Sequence, residues 1–372
     1  MDDKKILAQI QSCTECQECM EVCDTYQMTG NELQSPYGRL KTAEKIFTGE
    51  EISEDERFGL YTCTLCSLCN LACIQEIDIS TLIHQAKTKV ANTSKGTYDI
   101  HDKISSGIIQ NDNSVNGDPS ERLDWLPSKY KEAELFEESH SDTLLFLGCM
   151  SSFKVKESAS TSYELLKKAD FNFKILKNEP CCGEYLYSAG KLEEAKKNFE
   201  KVYALFKQNG IKTVIVTCAG CLYAFSEVYP KYIENFDIEV KHITEIISDL
   251  ISDGKLEINL KDGEVLYHDA CRMGRKIHDR DIYEAPRKIL KEVGASIKEL
   301  KTNRNKSPCC GAGSGIRGVA KDLCIDIGAS VLNKADDLPL ISSCPLCVFN
   351  FRYVNYKNEL NKEIKYITDY IK

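Results

Sequence analysis

Long apolar runs are missing from this chain of 372 residues. The longest, such as "LLFLG" at 144–148, fall far short of the roughly 20 residues that cross a bilayer. A basic excess is missing too: 48 Lys and Arg stand against 57 Asp and Glu, a formal net charge of −9. Nonspecific nucleic-acid binding, which needs a basic surface to displace counterions from phosphates, is thereby excluded. The amino terminus "MDDKKILAQI" opens acidic and has no apolar stretch of export-signal length, so a cytoplasmic location is expected. Neither a Gly-x-Gly-x-x-Gly fingerprint nor another nucleotide-binding motif occurs, which places any flavin on another subunit.

What the chain has instead is cysteine, 19 in all. A reducing compartment keeps such thiols open, so metal rather than a disulfide framework is expected. The length allows two or three domains, each with its own core.

Cys13, Cys16, Cys19 and Cys23 form one run and Cys63, Cys66, Cys69 and Cys73 another, both spaced C-x2-C-x2-C-x3-C as in bacterial ferredoxins. In that pattern three close thiolates wrap one face of a [4Fe–4S] cube and the fourth ligates the other cluster. The expected sets are Cys13, Cys16, Cys19 with Cys73, and Cys63, Cys66, Cys69 with Cys23. Structural zinc sites usually present two separated pairs instead. The proline that usually follows the fourth cysteine is replaced by Asp24 in one run and Ile74 in the other.

Ten further cysteines make an internal repeat. Cys149 is followed by 31 residues, then Cys181-Cys182, then 35 residues and Cys218-x2-Cys221; Cys271, Cys309-Cys310 and Cys344-x2-Cys347 repeat this with gaps of 37 and 33. Adjacent cysteines cannot bond to each other without straining the peptide between them, so both sulfurs of each pair point to another object. Five thiolates exceed the four that a cube needs, and the following Gly183 or Gly311 lets the backbone pass close by. Cys324, outside every set, lies on a helical apolar face and reads as core filling.

"TLLFLGC", "KTVIVTC", "EVLYHDAC" and "LPLISSC" read as buried strands ending at Cys149, Cys218, Cys271 and Cys344. Leu192, Ala195, Phe199, Val202 and Phe206 share one helical stripe closed by Gly210. Strands alternating with helices imply parallel sheets, with chemistry beyond the strands' carboxyl ends. The expected fold is α+β: a helical two-cluster ferredoxin-like domain over 1–93, a linker over 94–142 that docks Trp125, and two pseudo-symmetric α/β domains over 143–255 and 256–372. Arg287 and Lys288, in "APRKILKEVG", are expected on a solvated helical face.

Together the two CCG units and the ferredoxin module resemble the D subunits of heterodisulfide reductases, which fuse a C-like and a B-like part in one chain. "SPYGR" at 35–39, "YTCTLCSLCNLAC" at 61–73, "YHDAC" at 267–271 and "CCGAG" at 309–313 are similar to the wider CCG superfamily, which includes iron–sulfur subunits of glycolate, glycerol-3-phosphate and lactate dehydrogenases. The resemblance implies two cubane [4Fe–4S] clusters in the ferredoxin module. It also implies a noncubane [4Fe–4S] cluster on each complete quintet, where the coenzyme M–coenzyme B disulfide of methanogenesis is cleaved under anaerobic conditions.

All ten cysteines are present, which favours catalysis over relay. If the two rims face a common cavity, the two sulfurs of a disulfide are met one from each side. His268, three residues before Cys271, is the first candidate proton donor, against the plainer reading of a satisfied strand-end histidine. Arg272, Arg275, Lys276 and Arg317 are candidate contacts for the substrate's sulfonate and phosphate, against the reading that they balance the charge of an anionic cluster. Arg272 stands where relatives often carry His. The expected partner is an electron-donating subunit, a flavoprotein or a membrane cytochrome; the latter would hold this chain at the cytoplasmic membrane face. Two alternatives remain: an electron-transfer subunit of a flavin-dependent hydroxy-acid dehydrogenase, and a metal-stabilised assembly protein.

Overall fold

Helix signals dominate the amino-terminal third. Ser35 ahead of Pro36 starts the helix Pro36–Thr48, its hydroxyl accepting the Gly38 N–H at 3.0 Å. Ser53 and Glu56 form a reciprocal capping box that starts Glu54–Tyr61, and Asp78 caps Ile79–Ala91. With Asp3–Gln11 these helices bury Ile6, Leu40, Ala43, Leu60, Leu82 and Ile83 in one core, and the two cysteine runs lie in the connections between them. The computed structural model describes residues 2–131, 141–278, 280 and 282–372.

Two parallel sheets follow. β1 (Thr143–Phe146), β2 (Thr213–Val216) and β3 (Glu239–His242) lie in the order β1-β2-β3; β4 (Gly263–His268), β5 (Ala295–Lys298), β6 (Leu340–Ser342) and β7 (Ile364–Tyr366) lie in the order β5-β4-β6-β7. Phe146 pairs with Val216 and His268 with Ser342, so strand ends are level and Cys149 with Cys218, and Cys271 with Cys344, emerge at one rim of their own sheet. Helix Leu192–Gln208 covers the first sheet with Ala195, Phe199, Val202 and Phe206 buried, while Leu192 is half-buried. One continuous core joins both α/β units, and Tyr366 of the second donates to the Thr217 carbonyl of the first at 2.7 Å.

Three features depart from the sequence reading. β3, β5 and β7 escaped it because they are sheet-edge strands of three or four residues whose apolar runs are broken by Lys or Ser. Residues 94–142, expected as a linker, carry the helix Asp99–Asn111, and Trp125 is buried against Tyr163 with ring centroids 5.6 Å apart. The portion of that segment at 132–140 lies outside the described residues. Arg287 is a correction: it is 1% exposed, forked onto Asp269 through two 2.8 Å bonds and onto Glu299 at 2.6 and 2.8 Å. Two carboxylates satisfy the guanidinium, which is what permits its burial. Lys288 is exposed as expected.

Candidate metal centres and the cavity beside them

Both ferredoxin-like runs coil in the same way. Glu15 and Gln17 in the first, and their counterparts Leu65 and Ser67 in the second, all have φ between 51° and 64°. Left-handed backbone at non-glycine residues costs about 1–2 kcal/mol each. Here it turns successive sulfurs to one side. One small cavity is lined by Cys13, Cys16, Cys19 and Cys73, and another by Cys63, Cys66, Cys69 and Cys23. The fourth sulfur of each run therefore stands at the other run's cavity. Among the described residues no three His, Cys, Asp or Glu side chains converge as a single metal ion would need. Burial first, then neighbouring thiols, push Cys19 up to about 12, a cost that a bound cationic cluster core removes.

The arginine of "SPYGR" serves this second cavity. Arg39 is buried, donates to the Gly59 carbonyl at 2.7 Å and to the Thr25 and Thr62 hydroxyls at 3.0 and 3.2 Å, and reaches Cys23 Sγ at 3.8 Å. Asp24, in place of the usual proline, accepts the Cys309 N–H at 3.0 Å, tying this module to the second CCG unit. Burial pushes Asp24 up to about 7.

In each CCG unit the glycine after the cysteine pair has left-handed φ, +77° at Gly183 and +89° at Gly311. A Cβ there would lie 2.6 Å from Asn198 Nδ2 or 2.7 Å from the Cys324 carbonyl oxygen. The close packing lets Asn198 donate to the Cys181 carbonyl at 2.9 Å and Asn350 to the Cys310 carbonyl at 2.8 Å. Cys324, buried as expected, donates to Asn350 Oδ1.

Cys149 and Cys181 sulfurs stand 3.7 Å apart, and all five cysteines of the first quintet line a cavity of about 340 Å³. None of the second quintet lines it, although Ala312, Ser314, Gly315, Arg317, Leu346 and Phe349 of the second unit do. The expected common cavity is thus walled by both units but faces the sulfurs of one. The second quintet touches its neighbours on both sides. The Cys309 thiol holds Cys66 of the ferredoxin module well below the ordinary thiol range, and the Cys218 thiol does the same to Cys344.

Of the four candidate cations, Arg317 alone lines the cavity. Its guanidinium lies over Tyr353 at 4.1 Å and Phe349 at 4.7 Å, and its buried Nη1 has no hydrogen-bond partner. Arg272 is buried in an ion pair with Glu184 at 2.7 Å. Arg275 donates to the carbonyls of Cys66, Asn305 and Ser307 at 2.7–2.9 Å, and Lys276 to that of Leu65 at 3.4 Å. His268 is buried at the end of β4, with Nε2 3.1 Å from the Pro308 carbonyl and Nδ1 3.5 Å from Ser342 Oγ.

Sequence reasoning passed over two buried charges. Lys87 bridges the Cys63 carbonyl at 3.0 Å and Ser314 Oγ at 2.8 Å, and burial lowers it to about 7. Glu179, at the head of "EPCCGE", accepts the Leu147 and Gly148 N–H groups at 2.8 and 2.7 Å beside Arg122, and burial raises it to about 7. Its adjacency to the cysteine pair was the available signal.

Residues 143–226 and 265–352 match the cysteine-rich domain family, and residues 9–77 match the 4Fe-4S dicluster domain. The D subunit of the dihydromethanophenazine:CoB–CoM heterodisulfide reductase from Methanosarcina acetivorans is 30% identical over 92% of this chain and 88% of its own length. An uncharacterised iron–sulfur protein of Methanocaldococcus jannaschii is 28% identical over 96% of this chain and 71% of its own. The B subunit of the fumarate reductase (CoM/CoB) from Methanothermobacter marburgensis is 24% identical over 97% and 70%. No helix among the described residues is long and apolar enough to cross a membrane. The domains make the chain an iron–sulfur oxidoreductase that binds [4Fe–4S] clusters. With its ferredoxin module, twin CCG units and likeness along nearly its whole length, the chain belongs to the family of heterodisulfide reductase D subunits.

Proposed function

We propose that this protein reduces a mixed disulfide, that of coenzymes M and B, to two thiols: R–S–S–R′ + 2e⁻ + 2H⁺ → RSH + R′SH. The observation that carries the reading is the cavity of about 340 Å³ that all five cysteines of the first quintet line, with Arg317 as its free cation. Cys13, Cys16, Cys19 and Cys73 would hold one cubane, and Cys63, Cys66, Cys69 and Cys23 the other. Each quintet offers the soft donor set a noncubane cluster would need, buried throughout in the first and in all but the half-buried Cys271 of the second. When bound, such clusters supply one-electron storage and iron with affinity for sulfur.

The chain's own residues bind and orient the substrate. Arg317 meets an anionic end with a guanidinium already held by two aromatic faces. Ile100, Ile104, Val115, Met150, Leu346 and Phe349 offer apolar wall to a methylene arm and keep water from the sulfurs. Arg275 and Lys276 hold the loop that carries Leu65 and Cys66, and with Arg272 offset the negative charge of thiolates. His268 remains a candidate donor to the second quintet. The units we infer are residues 1–93, 94–142, 143–255 and 256–372, with the second contributing to the cavity. Electrons come from a partner protein, a flavoprotein or a membrane cytochrome.

Anaerobically purified holoprotein, given reduced benzyl viologen and the coenzyme M–coenzyme B disulfide, is expected to oxidise the dye and release both thiols in equal amounts. Dye oxidation no faster than in buffer overturns the proposal.

A further inference from the structure

The cavity wall holds a polar pair that none of the cysteine chemistry uses. Tyr185, in the short helix Glu184–Ser188 just after the first cysteine pair, lines the cavity. Its hydroxyl is 2.8 Å from Nδ1 of His101, which comes from the helix Asp99–Asn111 and is fully buried. The imidazole is packed by Tyr61 at 5.1 Å and Tyr98 at 6.5 Å, and its Nε2 has no partner. The second CCG unit closes the pair: a Cβ on Gly315 would lie 2.5 Å from His101 Cε1 and 2.8 Å from the Tyr185 oxygen. Three parts of the chain thus converge on one hydroxyl at the rim of the sulfur cavity.

A buried orphan N–H is worse tolerated than an orphan acceptor, so the ring proton belongs on Nδ1. Nδ1–H then donates to the phenol oxygen, and the phenol hydrogen is left to point into the cavity. Burial keeps His101 neutral, lowering it to about 4, and holds the Tyr185 phenol well above its ordinary value. The hydroxyl therefore stays a donor.

We infer that Tyr185 donates a hydrogen bond to a substrate sulfur as that sulfur becomes a thiolate, and that His101 is the positioning residue that aims it. This rests on the disulfide reading. As the S–S bond breaks, two electrons from the external one-electron donor pass to the two sulfurs. Tyr185 keeps its O–H bond and stabilises the developing charge on one of them; both protons of the product thiols come ultimately from solvent, through other groups. Serine hydroxyls at 114 and 314 also line the cavity, but Ser114 Oγ is 3.3 Å from Cys149 Sγ and Ser314 is bonded to Lys87.

The test uses Tyr185→Phe, His101→Leu and His101→Asn in the full holoprotein, because an asparagine amide reproduces the Nδ1–H donor. A hydrogen bond to a charged group is worth a factor of about 10–150, so kcat in Y185F and H101L falls by that much with KM changed less than about threefold. Affinity of the oxidised protein for 2-mercaptoethanesulfonate, measured by equilibrium dialysis without turnover, falls about tenfold in both, with iron content intact. H101N recovers most of both losses. Y185F within about twofold of wild type in kcat and thiol affinity overturns the inference. Should Y185F lose iron, equal behaviour of H101L and H101N overturns it instead. A wild type that binds the thiol through Tyr185 yet turns over no disulfide sinks the disulfide reading and upholds the contact.

Discussion

Replacing Arg317 by Met tests how the cavity chooses its substrate. The methionine keeps the apolar stem against Phe349 and Tyr353 but removes the charge whose Nη1 is buried without a partner. One charge-assisted hydrogen bond is worth about 1.5–3 kcal/mol, or a factor of about 10–150 in kcat/KM. The loss should appear mainly in KM, since an anion remote from the S–S bond is bound equally before and during cleavage. The assay compares the coenzyme M–coenzyme B disulfide with bis(2-hydroxyethyl) disulfide, which has no anion for the arginine to hold. The first should lose the full factor and the second less than about twofold. Equal losses with both substrates, or no loss with either, would refute the role of Arg317 as the anion contact.

Three more outcomes follow from the packing. Arg287→Met strands the buried Asp269 and should lower unfolding free energy by about 3–5 kcal/mol in anaerobic denaturant titration; a loss under about 1 kcal/mol contradicts the ion cluster. Cys13→Ser and Cys73→Ser should perturb the same cubane's spectrum despite the distance in sequence, whereas Cys73→Ser resembling Cys63→Ser would break the crossed assignment. His84 is buried with Nε2 2.7 Å from the Tyr187 carbonyl, and burial lowers it to about 3 from an ordinary 6.5. Its unfolded form takes up a proton below about pH 6.5 while the folded form does so only near 3, so stability falls across that window, by about 2 kcal/mol between pH 7 and 5. His84→Gln, which keeps the donor to Tyr187, should flatten this pH dependence; an unchanged slope assigns it elsewhere.

The cysteine sets that line the three sulfur cavities were legible because their spacing is largely local. The strands ahead of Cys149, Cys218, Cys271 and Cys344 were legible because they are buried, unbroken apolar runs, even β1 at the edge of its sheet. What escaped depends on partners distant in the chain. Arg287 looked like half of an exposed Arg-Lys pair until Asp269 and Glu299 folded around it. Lys87 gave no hint that Ser314, 227 positions away, would share its ammonium. The polar stretch after residue 94 resembled a connector although Ile100, Ile104 and Ile108 recur every fourth residue along its helix, and Ile100 and Ile104 wall the cavity. The notion of two sulfur rims facing one space followed from duplication alone. Internal symmetry does not dictate which unit faces a cavity, and here the first does.

Electron paramagnetic resonance of oxidised, anaerobically purified holoprotein, recorded with and without the coenzyme M thiol, tests whether substrate sulfur reaches a cluster on the first quintet. About 16 iron atoms per chain are expected, with a signal that appears only with the thiol and is lost in Cys181→Ala. A protein that holds only the iron of two cubanes, or whose spectrum ignores the thiol at full iron content, would contradict this expectation.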